Sequence, residues 1–194
     1  MNSKPDSKYS ALAAQLVAAN DDAERFAMLK RHHALADVRL AYALKDACYD
    51  SWNSEPTNAT GAAAALRALA QTIGEPEAAA LALWIGGIAS LVGGEMPRAI
   101  AQLDEAAQNF RSLGKEHAAA STQVSKLVAL AMLGRYDEAI ACGLVARDVL
   151  LAHRDTLAAG KIEHNIGNIY WRRDLYDEAE QYLTPAHEKF LAAD

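Results

Sequence analysis

The residues with the widest chemical reach are six histidines and two cysteines. His32 and His33 are adjacent, so on a helix they leave on different faces and cannot chelate one metal together. Glu163-His164 and His187-Glu188 each lack a third ligand at helical spacing, which a zinc site requires. His117 and His153 fall at predicted helix ends, where a cap partner or the helix dipole explains them. Cys48 and Cys142 lie far apart in sequence. No disulfide framework is read from them, and a reducing, cytoplasmic setting is expected. Gly86-Gly87 and Gly93-Gly94 have no strand before them, unlike a phosphate-cradling loop. Asp137-Glu138 and Asp177-Glu178 share a phase and read as acidic first turns that offset a helix dipole. These residues predict no enzyme activity, no metal and no cofactor.

One constellation suits binding. Lys161, His164, Asn168, Trp171 and Arg172 lie at offsets of 3, 7, 10 and 11, which is one helical stripe. It carries hydrogen-bond donors and two flat rings. That chemistry matches an extended peptide backbone or an acidic side chain.

The elements that must position this stripe are helices in a repeat. Shifted by forty residues, Ala179 falls on Ala139, Ala99 and Ala59. Gly167 falls on Gly87 and Ala47, Tyr176 on Tyr136, and Phe190 on Leu150 and Phe110. The small residues let paired helices approach closely. Residues 1–7 read as a frayed tail. Lys8–Ala19 and a helix through about His32 form a pair at 8–34 that matches the repeat poorly and reads as a cap. Four helix pairs follow, at 35–79, 80–119, 120–159 and 160–194. Their predicted helices are Leu35–Trp52, Ala62–Ile73, Pro76–Gly93, Ala99–Leu113, His117–Leu133, Tyr136–Ala152, Thr156–Arg173 and Tyr176–Ala192. A loop at Asn53–Thr57 separates the first two. Pro185 inside the last helix predicts a bend. No polar terminal helix closes the array, so it is expected to continue past Asp194.

Composition agrees with an all-α chain of this kind. Half the residues are apolar, alanine is abundant and aromatics are few, which favours close helix packing over a thick core. The net charge of −6 and pI near 5.5 lack the basic footprint of a nucleic-acid binder. MNSKPDSKYS has no apolar core of a signal peptide, and no apolar run is long enough to span a bilayer.

The run Ile162–Ala179, IEHNIGNIYWRRDLYDEA, has the spacing I-G-x2-Y-x5-Y-x2-A and resembles the tetratricopeptide repeat. The resemblance implies a right-handed α-solenoid of helix–turn–helix units, here with a longer period than the usual one. Together with GRYDEAI at Gly134–Ile140, it is similar to the N-terminal arrays of large bacterial proteins that end in a CHAT domain, a caspase-like peptidase fold. It covers most of residues 35–194. The peptidase residues would lie on a further segment, and neither Cys48 nor Cys142 matches a peptidase motif.

In such arrays the first helix of each pair lines the concave face. The resemblance therefore implies a peptide groove of Trp84, Ile88 and Leu91, then Val124 and Val128, then Lys161, His164, Asn168, Trp171 and Arg172. It would be apolar in the middle and locally basic at the C-terminal end. Asn168 resembles the asparagine that holds a ligand backbone at this place. Ile88, Val128 and Cys48 at the matching positions depart from the carboxylate clamp, so a C-terminal carboxylate is not the expected ligand. The expected role is a protein- or peptide-binding scaffold, monomeric or weakly oligomeric, that senses or docks for a larger protein. Two other readings stand beside it. The N-terminal pair folds into the apolar part of the groove, or that part joins copies of the chain.

Overall fold

The computed structural model describes residues 7–51 and 56–193. These form ten α-helices and one 3-10 turn, with no strand among the described residues. The helices are α1 (Ser7–Ala18), α2 (Asp22–Arg31), α3 (Val38–Ser51), α4 (Pro56–Ile73) and α5 (Pro76–Val92). They continue as α6 (Met96–Ser112), α7 (Glu116–Met132), α8 (Tyr136–Ala152), α9 (Thr156–Arg172) and α10 (Tyr176–Leu191). The chain divides into two compact units, one up to Asn109 and one from Phe110 onward.

A beat shorter than forty residues governs the helices. Positive φ recurs at Gly74, Gly94, Gly114, Gly134, Arg154 and Asp174, always twenty residues apart. At the last five of these the turn closes alike: the amide after the positive-φ residue bonds back five residues. Examples are Glu95 N–H to Ser90 O at 2.8 Å and Leu175 N–H to Tyr170 O at 3.1 Å. The second half of the beat is alanine. Ala59, Ala79, Ala99, Ala119, Ala139, Ala159 and Ala179 are each the fourth residue of their helix. All but Ala79 are buried. There a methyl group lets a neighbouring helix come close where a larger side chain would hold it off.

In the first unit, α4 packs against α1, α2, α3 and α5, and α3 also meets α1 and α5. Leu12, Leu16, Leu40, Leu44, Leu66, Leu69, Leu81 and Ile85 form its buried core. A Cβ on Gly61 would lie 2.5 Å from the Val17 carbonyl oxygen, so α1 and α4 touch backbone to backbone. The α1–α2 corner is tied by Arg25, a buried guanidinium. It donates to the carbonyls of Leu16 (3.2 Å) and Ala19 (2.6 Å) and thereby closes the C-terminal end of α1. Asp21 caps α2 by accepting from Glu24 N–H at 2.8 Å.

In the second unit, α8 packs on α7 and α9, α9 also meets α7, and α10 packs on α9. Leu127, Leu130, Leu150, Ile162, Ile166 and Ile169 fill the space between them. A Cβ on Gly167 would lie 2.6 Å from Leu183 Cγ and 3.2 Å from the Ala179 carbonyl oxygen. Gly167 and Ala179 thus stand where α9 and α10 come closest, as the sequence predicted.

Several boundaries differ from the sequence reading. α3 starts at Val38, because residues His33–Leu35 make a separate 3-10 turn and Asp37 caps the helix. α4 starts at Pro56, not Ala62: proline suits a first helical position, where no backbone hydrogen bond is lost. Residues 52–55, most of the predicted loop, lie outside the described residues, as do 1–6 of the predicted tail. α10 remains helical through Pro185. Tyr170 is half-buried and stacks on Tyr182 at 5.6 Å between ring centres.

Candidate peptide groove

α7 and α9 leave a cleft of about 310 Å³ in the second unit. α7 contributes Val128, Ala131 and Met132, and α9 contributes Asn165, Asn168, Trp171 and Arg172. Leu127 and Ile169, both buried, form its floor. The stripe arises because α9 buries Ile162 and Ile166 away from the cleft. That leaves residues 161, 165, 168 and 172 in line on the open side.

The cleft carries both apolar and cationic groups. Trp171 is 58% exposed and Met132 57%, an unusual surface outlay for side chains of that size. Trp171 is braced edge-on by Tyr176, 5.0 Å away. The Tyr176 hydroxyl donates to Asp174 Oδ1 at 2.8 Å, and that bond to a carboxylate raises the phenol's pKa. Arg172 and Lys161 have no ion-pair partner among the described residues, whereas the adjacent Arg173 is held by Asp137 at 2.9 Å. The asparagine amides offer paired donors and acceptors to a peptide backbone.

Four predicted residues therefore meet in one place: Val128, Asn168, Trp171 and Arg172. Lys161 is exposed one turn or more along the same stripe and does not line the cleft. His164 is exposed too, but its ring sits edge-on to Phe190 of α10 at 6.1 Å, outside the cleft. Val124 is half-buried a turn before Val128. Asn165 was missed, although it lies four residues after Lys161 and three before Asn168. The helical spacing alone would have included it.

The first-unit part of the expected groove is not an open surface. Trp84, Ile88 and Leu91 are 6%, 0% and 5% exposed. Side chains of α3 cover Trp84: the Tyr49 ring stands edge-on at 6.1 Å, and Lys45 Nζ lies 5.9 Å from the indole. Lys45 is also within 6.0 Å of Tyr42 and 5.5 Å of Tyr49, so its ammonium sits among three rings. These three side chains are buried, so the expected exposed apolar stripe is not found at them.

Cys48 is fully buried, and burial pushes its thiol up to about 11, the reverse of an activated nucleophile. Cys142 is half-buried, and its thiol donates to the Ala139 carbonyl at 3.3 Å. His117 Nε2 meets Asp155 Oδ2 at 2.7 Å, and His153 packs edge-on against His117 at 5.6 Å. Asp155 spends its other oxygen on the Ala158 amide, capping α9 at 3.0 Å. No group of three metal-ligating side chains occurs among the described residues. No helix among them is long and apolar enough to cross a membrane.

Neither a scan against protein-family models nor a search of the curated proteins found a match to this chain.

Proposed function

We propose that this chain is a tetratricopeptide-type α-solenoid that binds a protein segment in extended form, with the α7–α9 cleft as its contact. The observation that carries this reading is the cleft itself. Exposed Trp171 and Met132 stand beside the ion-pair-free Arg172, with two asparagines between helices that are otherwise well packed. An extended segment would place an apolar side chain against the ring and thioether. Its backbone would meet the amides, and an acidic group would meet Arg172, with Lys161 further along. In the same proposal the chain is the docking or sensing portion of a larger bacterial protein, cytoplasmic, with a CHAT peptidase domain as the effector.

The test is peptide selection from a random displayed library on the whole chain, followed by titration of the recovered peptide. Binding should weaken about tenfold or more in the Trp171→Ala variant and in the Lys161→Glu/Arg172→Glu variant. Unchanged affinity in both moves the ligand off this face. A second reading, self-association of copies, is favoured by one observation: Leu191 at the end of α10 is 63% exposed. Light scattering at high concentration separates the two, because a strict monomer leaves only the peptide reading.

A further inference from the structure

The first unit holds a second cleft, of about 630 Å³, where α2 passes the end of α4. Phe26, Leu29, Lys30 and His33 line it from the α2 side, and Ile73 closes it from α4. Phe26, Leu29 and Lys30 share one face of α2, and His33 follows from the 3-10 turn just past the helix end. Leu29 is buried as its floor, while Phe26 is left 39% exposed. Beside it runs Lys30-Arg31-His32-His33. None of these four side chains has a hydrogen-bond or ion-pair partner among the described residues. That is notable in a chain of net charge −6 whose other arginines are mostly tied: Arg25, Arg39, Arg67, Arg98, Arg135, Arg147 and Arg173 all hold carboxylates.

The helix dipole explains cations in the last turn of α2. It does not explain an exposed phenyl ring on the same face, or two imidazoles beyond the helix end. We propose that this cleft is a docking site for an acidic protein segment in which a large apolar side chain is flanked by carboxylates. The apolar side chain would lie against Phe26, Leu29 and Ile73, and the carboxylates would meet Lys30, Arg31 and His33. Charge complementarity selects the partner's sign, and the ring selects against a purely electrostatic partner. The site is separate from the α7–α9 cleft.

Fluorescence anisotropy tests it with the whole chain and a short fluorescein-labelled peptide of leucines spaced among glutamates. Saturable binding is expected. It should weaken about tenfold or more in Phe26→Ala and in Lys30→Glu/Arg31→Glu, with circular dichroism unchanged. It should persist in Lys161→Glu/Arg172→Glu. Three results would overturn the proposal: no binding, equal binding of a leucine-free glutamate peptide, or full affinity in Phe26→Ala. Loss of binding only in the Lys161→Glu/Arg172→Glu variant assigns the peptide to the other cleft and also overturns it. Tighter binding to phosphatidylserine vesicles than to the peptide identifies a lipid surface instead, and does the same.

Discussion

Gly143 of α8 and Leu127 of α7 are matched in size: a Cβ on Gly143 would lie 2.6 Å from Leu127 Cδ1. Forty residues before and after, the roles are exchanged. Gly87 faces Leu103, with a virtual Cβ 2.7 Å from Leu103 Cγ, and Gly167 faces Leu183 at 2.6 Å. Each of these three hairpins therefore has one leucine and one glycine at its closest crossing, and only the middle one carries the leucine on its first helix.

This predicts that Gly143→Leu destabilises by about 3 kcal/mol or more through overpacking. Adding Leu127→Gly should recover most of that loss, because it recreates the arrangement of the flanking hairpins. Urea unfolding checks it, and a double variant no more stable than Gly143→Leu alone would refute the matching. Gly167→Ala should cost more than Gly143→Ala. At Gly167 the added carbon meets a side-chain branch point and a carbonyl oxygen, and at Gly143 it meets movable methyl groups.

Arg154 (φ 61°) and Asp174 (φ 59°) hold turn positions that glycine holds in the four earlier turns. A non-glycine residue there costs roughly 1–2 kcal/mol, against a smaller entropic cost of glycine in the unfolded chain. Arg154→Gly should thus raise stability by about 0.5–1 kcal/mol in thermal or urea unfolding. Asp174→Gly should gain less, since it removes the acceptor of the Tyr176 hydroxyl. A loss of stability in Arg154→Gly would mean that its side chain makes a contribution that the turn geometry does not show.

Those two residues hide only part of the shorter beat. Glycine at 94, 114 and 134 marks a turn openly, but arginine and aspartate at 154 and 174 do not; the alanine at every twentieth residue from 59 to 179 was legible, and the forty-residue reading passed over it. Helix pairing was legible because alanines and glycines recur at the crossings. The start of α3 was not, because the 3-10 turn at His33–Leu35 has no strong composition signal. The α9 stripe could be read from spacing, since one helix defines it. The burial of Trp84 could not, since it depends on the α3 side chains Lys45 and Tyr49 coming to lie over that side of α5.

Tyr170 has the motif position of an inter-helix aromatic, yet its ring is only half-buried and stacks on Tyr182 with planes 16° apart. Tyr170→Ala should therefore cost about 1.5–3 kcal/mol, below the 3–5 of a fully enclosed ring. Tyr170→Phe should cost under about 1 kcal/mol, because the stack is retained. Calorimetric or urea unfolding of both variants decides it: equal losses would shift the weight from the ring to the hydroxyl.

Asp37 couples α1 to α3. It accepts from Tyr9 Oη at 2.9 Å and from the amides of Arg39 (2.9 Å) and Leu40 (3.3 Å). Burial works to raise its pKa, but the Arg39 guanidinium, the Tyr9 hydroxyl and the two amides outweigh it and hold the carboxyl below its usual value. A lowered folded-state pKa stabilises the fold above the unfolded value of about 3.9, and that contribution is lost as pH falls through the folded value. Asp37→Ala should lose about 1–2 kcal/mol at neutral pH, as for a lost helix cap. The gap to the wild type should narrow as acid protonates the wild-type carboxyl. A gap that is constant from neutral pH to below about pH 3 would exclude the charge as its source.

Glu163 and Lys189 join α9 to α10 at 2.7 Å, with the Glu163 side chain only 8% exposed. Lys189 also reaches the Pro185 carbonyl at 3.4 Å, an oxygen one turn back in its own helix. Removing one partner strands a carboxylate in an apolar setting, so Lys189→Met should cost about 3–5 kcal/mol. Replacing both, as Glu163→Leu/Lys189→Met, removes the stranded charge along with the pair and should cost far less than the single change. If instead the double variant is as unstable as Lys189→Met, the loss in the single variant does not come from a stranded Glu163 carboxylate, since methionine keeps the stem that packs beside Gly160.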